Sequence, residues 1–221
     1  MIKKNPLTKL QREALVHFFG TQLGQAYFLT GGTALAGFYF HHRKSVDLDL
    51  FTFEDIELPI MKQVLAFVAK KTKTVLDHRL ATENYHKFFL LGKDEELKID
   101  LVKEQPVHFG KIQSFDTIRV DALENIGSNK ITAIFGRTEP KDFVDLYFIL
   151  KKQRAFSFKK LFEDAKKKDI GLSEFYFAHM LRQVENLRDI PEMLVPFARG
   201  KMERYFLSLA NRLLLSAKPQ A

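Results

Sequence analysis

The chain has no cysteine and no tryptophan among its 221 residues. Without cysteine there are no disulfides, no thiolate zinc sites and no cysteine nucleophile, and the composition suits a reducing cytosol. No stretch approaches the ~18 consecutive apolar residues of a membrane span. The start, MIKKNPLTKLQRE, carries charge with no apolar run behind it, so it does not read as a secretory signal. Internal repeats and low-complexity linkers are also lacking. What is present is an ordinary globular balance, 46% hydrophobic and 28% charged. The length allows one large domain or two small ones, with enough chain to bury a core.

The formal charge is +8 and it is unevenly spread. Residues 1–139 hold 19 Lys/Arg against 17 Asp/Glu, whereas residues 140–221 hold 16 against 10. A basic second part suggests a polyanionic partner, nucleic acid being the obvious one; solubility is the plainer explanation. Runs such as Lys166-Lys167-Lys168 read equally well as solvated helix faces.

The pattern changes near residue 120. Before it, Leu7–Phe19 has helical spacing with Thr8 as a possible cap, and Ala26–Leu29 is a short apolar strand feeding a turn at Gly31-Gly32. A helix is expected over Thr33–His41, a strand over Val46–Phe53, and an amphipathic helix over Leu58–Lys73. Three more strands are expected over Thr74–Leu80, Tyr85–Leu91 and Leu97–Lys103. After it, Ala122–Phe135, Lys141–Lys152, Ser157–Lys168, Leu172–Leu187 and Pro196–Lys218 all have helical periodicity. The expected fold class is α+β: a mixed-sheet domain, residues 1–120, followed by a helical domain, residues 121–221. The 22 phenylalanines, Phe38, Phe40, Phe51 and Phe53 among them, read as packing residues, not as a platform for stacked bases.

The chemistry is concentrated around two acids. In a strand over Val46–Phe51, Val46, Leu48 and Leu50 face one way, and Ser45, Asp47 and Asp49 face the other. The two carboxylates then lie about 7 Å apart on one face. Like charges so placed are unfavourable unless a cation lies between them or water screens them well, and a hard ion such as Mg²⁺ suits them, taking oxygen ligands while keeping waters for a phosphate-bearing substrate. In Leu97–Val102, Lys98 and Asp100 share a face; if this strand neighbours the first, Asp100 joins the pair. Three carboxylates on adjacent strands can hold one or two metals for phosphoryl or nucleotidyl transfer. The glycines ahead of them let backbone N–H groups approach a phosphate. The histidines His41 and His42 are adjacent and would point apart, and no Ser/His/Asp arrangement suggests a hydrolase triad.

Taken together, Leu29-Thr-Gly-Gly-Thr-Ala-Leu35 and His42-Arg-Lys-Ser-Val-Asp-Leu-Asp-Leu-Phe51 resemble the first motif of the polymerase-β-type nucleotidyltransferase superfamily, and more narrowly the AbiEii/AbiGii toxin family. A second block, Asn129-Lys-Ile-Thr-Ala-Ile-Phe-Gly-Arg137 and Pro140-Lys-Asp-Phe-Val-Asp-Leu-Tyr147, is similar to that family's Lys…Arg…Lys-Asp…Asp motif. The resemblance covers roughly residues 25–150. It implies a polymerase-β-type fold, a bound nucleoside triphosphate and Mg²⁺. It further implies a toxin-like cytoplasmic enzyme that modifies an RNA, in some members the tRNA 3′ end, and a separately encoded antitoxin. By position, Gly31, Gly32 and Thr33 would meet the triphosphate, and Asp47 and Asp49, with Asp100, would bind metal. Thr33 stands where many relatives have Ser, and both offer a hydroxyl. Ser45 would hydrogen-bond substrate or an Asp.

In the second block, Lys130 and Arg137 are seven apart and share a helix face, and Pro140 suits the first turn of the next helix. Asp142 and Asp145 at a helix start complement its dipole, whereas Lys141 there has no local excuse. The expectation is that Lys130, Arg137 and Lys141 face the triphosphate, that Asp142 and Asp145 orient these cations or the attacking hydroxyl, and that the helical domain completes the active-site cleft. The competing readings are a surface ion-pair lattice at this block, a protein or small-molecule acceptor, and a non-catalytic module that binds nucleotide or RNA.

Overall fold

Alternating segments of the first half pair into a seven-stranded sheet in the order β3-β4-β5-β2-β1-β7-β6. The computed structural model of the chain describes residues 5–153 and 157–216. The chain divides into two units, Met1–Ala122 and Leu123–Ala221. The fold is α+β, as the sequence implies.

In the first unit, α1 (Lys9–Phe19) starts at a capping box: Thr8 accepts from the Gln11 N–H, and the Gln11 side chain accepts from the Thr8 N–H. Strand β1 (Phe28–Thr30) leads straight into α2 (Gly31–Ala34), which widens into a π-helical turn, Leu35–Phe40. That turn closes on His41 in the left-handed region, φ 50. Strand β2 (Leu48–Thr52), helix α3 (Leu58–Thr72) and the meander β3 (Val75–Ala81), β4 (Tyr85–Leu91) and β5 (Glu96–Lys103) follow. Short strands β6 (Gln113–Phe115) and β7 (Ile118–Val120) complete the sheet. Two neighbours are parallel, β2 with β5 and β1 with β7; the remaining pairings are antiparallel. Leu48, Leu50, Phe88, Leu90, Leu97, Ile99 and Leu101 form one buried face of the sheet, and α1 packs beside α3 with Leu15, Phe18, Phe19, Leu65 and Val68 buried.

Several expectations need correction. The strand expected from Val46 begins at Leu48, and Val46 is 68% exposed, because only from Leu48 does the backbone pair with β5. Strands β6 and β7 were not expected. The phenylalanines pack as expected, though near the surface: Phe38, Phe40 and Phe51 are half-buried and Phe53 is exposed, lying edge-on or tilted against Phe115, His42 and Phe28.

The second unit is helical: α4 (Leu123–Gly136), α5 (Pro140–Lys152), α6 (Phe158–Lys168), α7 (Glu174–Arg182) with a 3₁₀ turn to Asn186, and α8 (Arg199–Ser216). Ala217 and Lys218 of the expected last helix lie outside the described residues. Helix α4 packs on α5 and α6, and α7 on α8. Phe143 meets Phe206 edge-on, and Phe162 packs between Phe158 and Phe177. The lysine run is largely paired, not merely solvated. Lys166 meets Glu174 at 2.5 Å, and Lys168 donates to Asn125 and Asn129 at 2.7 and 2.6 Å. No described helix is long and apolar enough to cross a membrane.

Candidate active site

The sheet brings the first motif together because β1 runs antiparallel to β2, so the end of one meets the start of the other. Thr30 is registered against Asp49, and Asp49 against Asp100 on parallel β5. Gly31 follows at once with φ 69, a conformation that costs other residues ~1–2 kcal/mol. A methyl group on Gly31 would overlap Asp49 Oδ2, and one on Gly32 would overlap the guanidinium of Arg43 and crowd Ser45 Oγ at 3.2 Å. The glycine pair is therefore what lets an acid and a base close on the backbone at the start of α2. The first N–H groups of a helix have no partner within it and point along its axis toward anions.

Thr33 is buried, and its hydroxyl donates to the Asp47 carbonyl and lies 2.8 Å from Ser45 Oγ. Its hydroxyl thus fastens the loop that carries Asp47. Gln11 joins in from α1, donating to the Ser45 carbonyl at 2.9 Å. Arg43 is also buried and donates to the Lys44 carbonyl at 2.8 Å. It lay inside the quoted motif, but only as a flank of the acids.

The acids converge around a lysine. Lys98 Nζ is 3.1 Å from Asp47 Oδ2 and 3.1 Å from Asp100 Oδ2. Burial opposes the charge on Lys98, but the hydrogen bonds and charges of Asp47 and Asp100 outweigh it, and its pKa lies above that of an ordinary lysine. The other oxygen of Asp100 accepts from the Tyr85 hydroxyl at 3.0 Å. Burial, followed by the Asp100 charge and hydrogen bond, pushes the Tyr85 phenol up to about 12. In their chemistry the donors suit Mg²⁺, being carboxylate oxygens on neighbouring strands. Among the described residues, however, no three acidic or histidine side chains stand close enough to hold a metal as they are placed. Between Asp47 and Asp100 the intervening cation is the ammonium of Lys98.

At the glycine-turn end of β1, Thr30 Oγ1 donates to Asp121 Oδ2 at 2.5 Å, His108 Nε2 lies 2.8 Å from Asp121 Oδ1, and Tyr39 donates to the Asp121 carbonyl at 2.7 Å. Asp121 is fully buried and ties β7 to the strand that presents the glycine turn. Nothing in the sequence pattern singled it out.

The second block is built by α4 and α5. Lys130 Nζ donates to Asp142 Oδ1 and lies equally near Asp145 Oδ2, both at 2.7 Å, with both carboxylates fully buried. Arg137 Nε donates to Asp142 Oδ2 at 3.0 Å. Arg137 follows the last residue of α4, Gly136, with its N–H still bonded to the Ala133 carbonyl, and it meets the same carboxylate as Lys130. Pro140 opens α5 as expected. Lys141 does have a local partner, contrary to expectation: Glu139 at the helix start lies 2.9 Å away. The two acids thus hold Lys130 inside the helix pair, and the set of four charges is formally neutral.

The chain shares its fold with a protein of H. pylori described as a candidate nucleotidyltransferase: TM-score 0.66, 19% identity, covering 94% of this chain and 93% of that one. JHP933 from Helicobacter pylori matches with TM-score 0.59 and 18% identity, covering 94% and 90%. MenT4, a nucleotidyltransferase toxin from Mycobacterium tuberculosis H37Rv, matches with TM-score 0.63 and 11% identity, covering 93% and 82%. Among curated proteins no sequence matches this chain. A family model described as nucleotidyl transferase AbiEii toxin, Type IV toxin–antitoxin system, matches residues 13–205, which take in both motif blocks. The chain therefore belongs to the AbiEii nucleotidyl transferase toxin family.

Proposed function

We propose that this chain transfers a nucleotide from a nucleoside triphosphate to a hydroxyl of an RNA, with tRNA the first candidate, releasing pyrophosphate. The observation that carries the reading is the junction of β1 and β2, where a left-handed Gly31 places helix-start amides beside Asp49, and parallel β5 brings Asp100 alongside. The amides of Gly31, Gly32 and Thr33 receive the triphosphate, and buried Arg43 adds positive charge behind them. Thr33 and Ser45 hold the Asp47 loop in place. Asp47 and Asp49, with Asp100, would hold Mg²⁺, which when bound neutralises charge at the α-phosphate and lowers the pKa of the acceptor hydroxyl. Arg137 and Lys141, more exposed than Lys130, are assigned to phosphate, with Asp142 and Asp145 orienting the cations. The family description implies a Type IV toxin–antitoxin pair, so an antitoxin is the expected genetic partner.

The test is incubation with each labelled triphosphate, Mg²⁺ and total tRNA. Label in RNA supports the reading; label in protein moves the acceptor to a polypeptide; tight triphosphate binding with no label anywhere means a binding module. Asp47→Ala is expected to abolish labelling and growth inhibition together. Toxicity that survives this change disconnects it from nucleotidyl transfer.

A further inference from the structure

Lys98 stands where the sequence calls for a metal. It enters on β5 two residues before Asp100, on the same face of the strand, and its ammonium reaches Asp47 as well as Asp100. Its side chain is 28% exposed, against 30% for Asp47 and 11% for Asp100, so the bridge is partly withdrawn from solvent. Asp100 has both oxygens engaged, Oδ1 by the Tyr85 hydroxyl and Oδ2 by Lys98. A divalent ion that uses Asp100 Oδ2 or Asp47 Oδ2 must therefore take an oxygen that already accepts from an ammonium. Hydrogen bonds to an ionised donor are about twice as strong as neutral ones, so this exchange is costly. It also has a benefit. Two like charges held near each other repel, and a resident cation between them offsets that repulsion and holds both side chains in place.

We propose that Lys98 is the built-in counter-ion of the acid site, and that a divalent cation binds by displacing its ammonium from Asp47 and Asp100. Resting on the functional reading above, this makes Lys98 a positioning residue. It keeps the carboxylates assembled while no metal is there, sets a threshold for metal binding, and leaves a released ammonium beside the triphosphate cradle.

The experiment has two arms. Mn²⁺ binding without nucleotide is measured by electron paramagnetic resonance on the wild type and on Lys98→Met. The variant is expected to bind roughly 10- to 100-fold more tightly, the factor that one hydrogen bond to a charged group commands. Equal or weaker binding overturns the proposal. In the second arm, wild-type protein is treated with an amine-labelling reagent in EDTA and in Mg²⁺, and modification of Lys98 is followed by mass spectrometry. Labelling of Lys98 is expected to rise severalfold with Mg²⁺ while exposed lysines such as Lys9 stay constant; an unchanged rate overturns the proposal even if Lys98→Met does not fold. The two readings separate cleanly. Active transferase with Mn²⁺ affinity indifferent to Lys98 removes this inference and keeps the enzyme. Tighter Mn²⁺ binding in a protein that labels no acceptor keeps the inference and removes the enzyme.

Discussion

Replacing Lys130 by Met should be among the most damaging single changes in the helical unit. Methionine keeps most of the stem and removes the ammonium. Lys130 is 8% exposed at its side chain and its two carboxylate partners are fully buried, each 2.7 Å away. Removing one member of a buried ion pair costs ~3–5 kcal/mol, because the partner's charge stays behind in a poorly solvating interior. Arg137 remains on Asp142 at 3.0 Å and softens that half of the loss, while Asp145 loses its ammonium. The expected penalty is thus near the lower end, ~3 kcal/mol, or roughly 6–12 °C in Tm for a chain of this size. Urea and thermal unfolding followed by circular dichroism measure it. Adding Asp145→Leu should bring stability back to within ~1 kcal/mol of wild type, because a paired charge is then replaced by apolar volume. Nucleotidyl transfer should not return with it. If Lys130→Met costs no more than the ~1 kcal/mol of an exposed pair, the reasoning from burial is refuted.

Three further outcomes follow from the same geometry. Gly31→Ala should lose ~1–2 kcal/mol to backbone strain and most of its transfer activity, since the new methyl displaces the Asp49 carboxylate; a fully active variant in the labelling assay would contradict the cradle. The raised Tyr85 pKa means that the folded state holds this proton longer than the unfolded chain does. Its contribution is present below about pH 10 and is lost as pH rises toward about 12. Melts between pH 9 and 12 should therefore show a smaller alkaline loss for Tyr85→Phe than for wild type. Thr8→Ala removes the reciprocal cap of α1 and should cost ~1 kcal/mol by urea midpoint, with transfer activity largely retained.

The glycine turn and the acid pair were legible because each rests on a local rule: a strand alternates its side chains, and a glycine pair between strand and helix marks a tight turn. Asp100 was legible by the same alternation once its strand was recognised. Lys98 was seen on the right face, but period alone does not tell whether a charged side chain reaches across to the next strand. Strands β6 and β7 are three residues each, too short to show a period, and the hairpin they form joins the sheet only through the pairing of Val120 with Leu29, far away in the chain. The π turn over Leu35–Phe40 has the composition of any helix, so only the structure reveals its wider winding. Lys130 illustrates the limit most sharply. Its position on α4 was evident, yet its burial depends on two acids delivered by the following helix, and a lone lysine is ordinarily read as surface.

The parallel pairing of β2 with β5 has a consequence for how the acid cluster assembles. The hairpins β3–β4 and β4–β5 close between neighbours in the chain, but Asp49 meets Asp100 only after the whole excursion through α3 and the meander has been made. The link from β1 to β7 spans still more chain. Contacts of such long range form late, because the entropy of closing a large loop must be met before they add stability. Until β5 docks on β2, a partly folded chain has no assembled acid cluster, whatever helices and hairpins it carries. Asp47 and Asp49 then stand apart from Asp100, and from the ammonium of Lys98 that arrives on the same strand.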